Sequence, residues 1–166
     1  LLIVGLNAVM VVWPSGGLAR DANVVLLAGK KSHAPGEHEY EKGMDLFKLC
    51  LDTSLSVRGV VVEVHTNGWP KDETTLDDAD TIVLFSDGGS RGNQHPLLAG
   101  GHMAVLEKQM KRGCGLVVIH WSLNLPSKIG SDTFLQWIGG FKDYENPPRP
   151  LGEQLRVADW SRQKQH

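Results

Sequence analysis

The hydrophobic positions of the chain gather into four short, dense runs, separated by stretches where apolar residues recur at helical spacing. Residues 23–29 (NVVLLAG), 59–64 (GVVVEV), 81–85 (TIVLF) and 115–119 (GLVVI) are rich in valine, leucine and isoleucine and show little alternation with polar residues. Such unbroken runs mark strands covered on both faces. After the first run, Pro35-Gly36 opens a turn and a helix is expected from near Glu37. Its apolar stripe is Tyr40, Met44, Phe47 and Leu51, at i, i+4, i+7 and i+11. Residues 71–80 read as a polar connection or short helix, and 90–101 as a glycine-rich loop containing Pro96. A further helix carries Met103, Leu106 and Met110, with Lys111 and Arg112 in its last turn and Gly113 in the position after it. Ser131 is placed to cap a last helix bearing Phe134, Leu135 and Ile138, ended by Gly139-Gly140.

Strands alternating with helical stretches predict an α/β fold, a parallel sheet with helices on both faces. Right-handed crossovers leave few topologies, and the flavodoxin-like three-layer sandwich with strand order 2-1-3-4 is the expected one. The segment 115–119, apolar throughout after its glycine, is expected to be buried centrally. A four-stranded sheet with a polar tail also leaves an edge open, which predicts a homodimer or poor solubility when expressed alone.

Composition narrows the function classes. The chain of 166 residues suits one domain, with 41% hydrophobic and 22% charged residues and a formal net charge of −2. No basic stripe accompanies aromatic residues, so nucleic acid is not an expected partner. No G-x-G-x-x-G or Walker pattern is present, so no nucleotide is expected; Ser90-Arg91-Gly92 could only hold an anion through its backbone. Cys50 and Cys114 form no metal or redox motif and read as buried thiols, with a single bridge between them as the alternative. Residues 1–12 (LLIVGLNAVMVV) are too short to span a bilayer and have the length of a signal-peptide core, with WPSGGLA following. The same run also fits a buried first strand. On the first reading, 1–19 are a signal remnant, 20–144 the α/β domain and 145–166 a polar, proline-rich tail. The mature protein is then exported, with no membrane contact; on the second it is cytoplasmic.

In open α/β sheets ligands bind beyond the carboxyl ends of the strands. Polar residues gather there: His33, Glu37 and His38 after the first run, His65, Asn67 and Trp69 after the second, Ser86, Asp87 and His95 after the third, His120 and Ser122 after the fourth. With order 2-1-3-4 the first, third and fourth loops share one crevice. His33, His38 and His120 are candidate ligands of a divalent ion, zinc first. His33 and His38 read equally well as solvated loop histidines, and His120 as a core histidine. Asp87-Gly88-Gly89 reads equally as a plain turn.

Three stretches carry a resemblance. SHAPGEHEYEKGMDLF (32–47), TIVLFSDGG with the following HP (81–96) and GCGLVVIHWS (113–122) resemble the ThuA-like domain, the trehalose-utilisation family of the class I glutamine amidotransferase-like superfamily. HTNGWPKD (65–72) and DTFLQWIGG (132–140) look like its variant in large exported bacterial proteins. The similarity runs from about Asn23 to Phe141. It implies a flavodoxin-like sheet and a role in disaccharide or oxidised-sugar metabolism, with histidines similar to His33 and His120 binding metal. It does not imply glutaminase activity: the amidotransferase nucleophile position holds His120, and Cys114 lies at the other end of the strand. The family continues with further strands and another histidine-bearing segment, where this chain has its proline-rich tail; part of the site is expected to be missing, by truncation or by reliance on another domain.

The expectation is therefore an exported sugar-directed protein, metal-assisted and hydrolase-like. His120 is its general base or metal ligand, Asp87 its partner, His33 and His38 metal ligands, and Asn67, Trp69 and Ser122 substrate-binding. The alternative is a non-catalytic carbohydrate-binding or interaction module of a larger exported protein, with Trp69 and Trp121 stacking on sugar.

Overall fold

A computed structural model describes residues 20–88, 95–143 and 155–157. The proposed signal, residues 1–19, the Ser90-Arg91-Gly92 segment and most of the 145–166 tail lie outside the described residues.

The four apolar runs form four parallel strands: β1 (Ala22–Ala28), β2 (Val60–His65), β3 (Thr81–Phe85) and β4 (Gly115–Ile119). Their order is β2-β1-β3-β4, the flavodoxin-like arrangement the sequence predicts. Because side chains alternate along a strand, the inner strands β1 and β3 feed two cores. Val25, Leu27, Ile82 and Leu84 join the larger core, with Leu106 of helix α2 (His102–Lys111) and Phe134 of a later helix. Leu26, Ala28 and Val83 face the other way, onto Tyr40 and Met44 of helix α1 (Tyr40–Thr53).

Several local expectations are corrected. Helix α1 begins at Tyr40 rather than near Glu37, because His38 has φ +45°, a left-handed backbone that a right-handed helix cannot continue through. Phe47 of the expected apolar stripe is half exposed, and Cys50 is exposed while Cys114 is buried. The segment 115–119 is not central. β4 is an outer strand, and Val117 is 46% exposed because α1 lies over β1 and β2 rather than over β4.

The expected last helix is two: α3 (Ser127–Asp132) and α4 (Phe134–Trp137), broken at Thr133. The Thr133 hydroxyl donates to the Ile129 carbonyl, and Ser131 lies inside α3 instead of capping it. Beyond them, β5 (Asn124–Leu125) pairs in parallel with β6 (Gly140–Asp143), and β7 (Leu155–Val157) pairs antiparallel with β6. The stretch read as a tail thus contributes a strand. Phe141, fully buried, packs so closely on Gly130 that a Cβ there would overlap its ring.

Candidate functional site

The carboxyl ends of β1, β3 and β4 are drawn together by close backbone approach. Gly29 donates its N–H to the Phe85 carbonyl at 2.8 Å, and a Cβ on Gly29 would stand 2.6 Å from that of Ser86. Gly88 lies against Asn124 and 2.5 Å, measured from an added Cβ, from the Trp121 carbonyl. Glycine at these two positions lets the loops meet.

His33, His38 and His120 form one cluster. The Nε2 atoms of His38 and His120 are 3.0 Å apart, so one ring donates an N–H to the other. The His33 and His38 ring centroids lie 4.2 Å apart, and Trp121 touches both rings, at 5.1 and 4.8 Å. His38 and His120 both sit at positive φ, +45° and +55°. Such a conformation costs a residue with a side chain about 1 kcal/mol or more, and it concentrates at functional sites. It aims the two rings at each other: His38 leaves the turn before α1, and His120 leaves the end of β4.

Electrostatics favour a neutral His120. Burial lowers its pKa from the ordinary imidazole value, and the electrostatic influence of His38, Lys142 and His33 lowers it further. His33 Nε2 and His38 Nδ1 are buried without a hydrogen-bond partner among the described residues. His33 Nδ1 is held by Ser32 Oγ at 2.8 Å, and Ser32 Oγ is 3.1 Å from the buried Tyr40 hydroxyl. Two imidazole nitrogens 3.0 Å apart are close to the spacing of about 3.3 Å between two ligands of one tetrahedral zinc. A zinc site takes three or four protein ligands, and this pair offers two. Among the described residues no group of three or more His, Cys, Asp or Glu is arranged around such a point.

The other expected residues make contacts of their own. Ser122 is fully buried, donates to the Ser86 carbonyl at 3.2 Å and accepts the Ser86 N–H at 2.6 Å; it ties the β3 and β4 loops together. Asp87 is buried, and its charge acts on Tyr40 and His95. Asn67 is exposed at the end of β2, with φ +64°. Trp69 stacks on His102 at 4.3 Å with ring planes 7° apart and donates its indole N–H to Glu73, so one of its faces is already covered.

His95 is a structural histidine. Its Nδ1 accepts the Leu97 N–H, its Nε2–H donates to the Ser122 carbonyl at 2.8 Å, and burial keeps it neutral. Ser32, Tyr40 and Lys142 were not legible as site residues. Tyr40 reads as core by its helical spacing, and Lys142 reaches the cluster only through the pairing of Asn124 with Lys142. The one available signal was the short spacing from Ser32 through His33 and His38 to Tyr40.

No family model matches the chain, and neither does any curated protein or solved structure. Among the described residues no helix is long and apolar enough to cross a membrane.

Proposed function

We propose that the histidine cluster at the carboxyl ends of β1 and β4 is a sugar-directed, hydrolase-like site in which the His38–His120 pair handles protons. The observation that supports it is the 3.0 Å contact between two imidazoles on separate loops, both held at positive φ. A neutral His120 keeps a lone pair at pH 7 and can take a proton from an attacking water or hydroxyl. His38, bonded to it, orients the ring and shares the proton. Trp121 walls the histidines and offers an aromatic surface to a ligand. Asn67, exposed at the neighbouring strand end, is free to meet a hydroxyl.

The sugar class rests on the resemblance of residues 32–47, 81–96 and 113–122 to the ThuA-like domain. His38 and His120 would hold a divalent ion, zinc first, with His33 beside them; such an ion supplies an acidified water when bound. We also place the mature protein outside the cytoplasm, on the strength of the apolar run 1–12 and the small residues after it. Secreted material with an N-terminus near Arg20 is the expected result.

The test is elemental analysis of the purified protein, with NMR titration by trehalose and gluconate. We expect perturbation of the His33, His38 and Trp121 resonances, lost in His120→Ala. Sugars that leave these resonances unmoved at millimolar concentration would overturn the reading. Binding without turnover would favour the non-catalytic module, for which Trp121 is the supporting observation.

A further inference from the structure

We infer that Ser32 and Tyr40 are positioning residues that fix the tautomer of His33, making its Nε2–H a hydrogen-bond donor to the bound ligand. The inference rests on the proposed sugar-directed site only for what that donor meets; the tautomer itself follows from the chain of hydrogen bonds.

That chain runs from Tyr40 through Ser32 to His33. The Tyr40 side chain is 2% exposed, and its hydroxyl lies 3.1 Å from Ser32 Oγ. A buried phenol has one proton to donate, and leaving it unpaired forfeits the hydration it had when unfolded. A phenol is protonated at neutral pH, so Tyr40 remains a donor. Ser32 Oγ therefore accepts from Tyr40, and its own proton is directed to the other neighbour in reach, His33 Nδ1 at 2.8 Å. With the Nδ1 lone pair engaged, a neutral His33 carries its hydrogen on Nε2.

Nε2 is the nitrogen that is buried with no partner among the described residues. It belongs to a ring packed at 4.2 Å from that of His38 and at 5.1 Å from Trp121, inside the same cluster as His120. A buried N–H without an acceptor is uncommon in folded proteins and points to a group supplied from outside. The chemistry that satisfies it is an oxygen acceptor: a sugar hydroxyl, ring oxygen or carboxylate. In this tautomer the Nε2 lone pair is absent, so His33 serves as donor beside the His38–His120 pair and does not join it as a metal ligand.

The experiment is a long-range proton–nitrogen correlation on protein carrying ¹⁵N-histidine, recorded at about pH 8, above the ordinary imidazole range. The expected result is the Nε2–H tautomer for His33, retained in Ser32→Thr and averaged between tautomers in Ser32→Ala and Tyr40→Phe. An Nδ1–H tautomer in the unmodified protein overturns the inference, whether or not any variant folds. An unchanged spectrum in a folded Ser32→Ala overturns it as well. Titration with gluconate then reads the ligand separately: a shift of the His33 Nε2–H signal is expected. A correct tautomer with no shift would count against the sugar reading and leave the positioning role standing.

Discussion

The Nε2 atoms of His38 and His120 lie 3.0 Å apart although 82 residues separate them in the chain. Neither ring reaches the other by local geometry. His38 is delivered by the turn that precedes α1 and His120 by the turn that follows β4, and these meet because β1 and β4 flank β3 in one parallel sheet. Both residues hold left-handed backbone, so the contact is made against conformational preference.

That strain gives a first prediction. Glycine removes the steric penalty at φ +55° that any other substitute retains. His120→Gly should be more stable than His120→Ala by about 1 kcal/mol, measured by urea unfolding. Sugar perturbation of the cluster should be lost in both. A His120→Gly variant less stable than His120→Ala would mean that position 120 is not strained.

The pH dependence of stability should be dominated by imidazoles held neutral. His95 has its pKa lowered by burial, and it is locked by bonds at both nitrogens. A histidine with a lowered folded-state pKa binds fewer protons than the unfolded chain. Its stabilising contribution is therefore full above the unfolded value of about 6.5 and declines as pH falls toward the folded value. The melting temperature should drop on acidification through this window, and drop less steeply in His95→Gln. Equal slopes for the two proteins would remove His95 as the cause.

Loop closure at Gly88 should be intolerant of any side chain. An added Cβ would collide with Asn124 and stand 2.5 Å from the Trp121 carbonyl, so Gly88→Ala should destabilise by about 2 kcal/mol or more. Gly101→Ala serves as the comparison: its φ is +83° but nothing lies within 4 Å, and about 1 kcal/mol is expected. Denaturation midpoints of the two variants check the ordering.

The outer position of β4 makes the two apolar strands behave differently. Val117, 46% exposed, should accept Val117→Thr within about 0.5 kcal/mol. Leu84, 1% exposed in the adjacent strand, should lose about 2–5 kcal/mol on Leu84→Ala. If the open edge also joins two copies, Val117→Lys should shift light scattering toward monomer.

The sequence by itself determined the four parallel strands, their order and the loops from which chemistry could emerge. Apolar runs alternating with helical stretches leave few right-handed ways to wind one sheet. Periodicity also placed Tyr40 and Met44 in the core. It could not say that β4 would lie outermost with Val117 uncovered, since an apolar run looks alike at the centre and at the edge. Nor could it tell Ser122, buried in the bond to Ser86, from a side chain facing a ligand; both follow a strand and both are polar. The break of the last helix at Thr133 and the strand at Leu155–Val157 were equally hidden, because each depends on partners far along the chain. Tertiary structure brought the expected His33, His38 and His120 into one cluster and set Ser32 and Tyr40 beside it. Residue type fixes what a side chain can donate or accept, and strand pairing together with the few positive-φ turns fixes which side chain it meets.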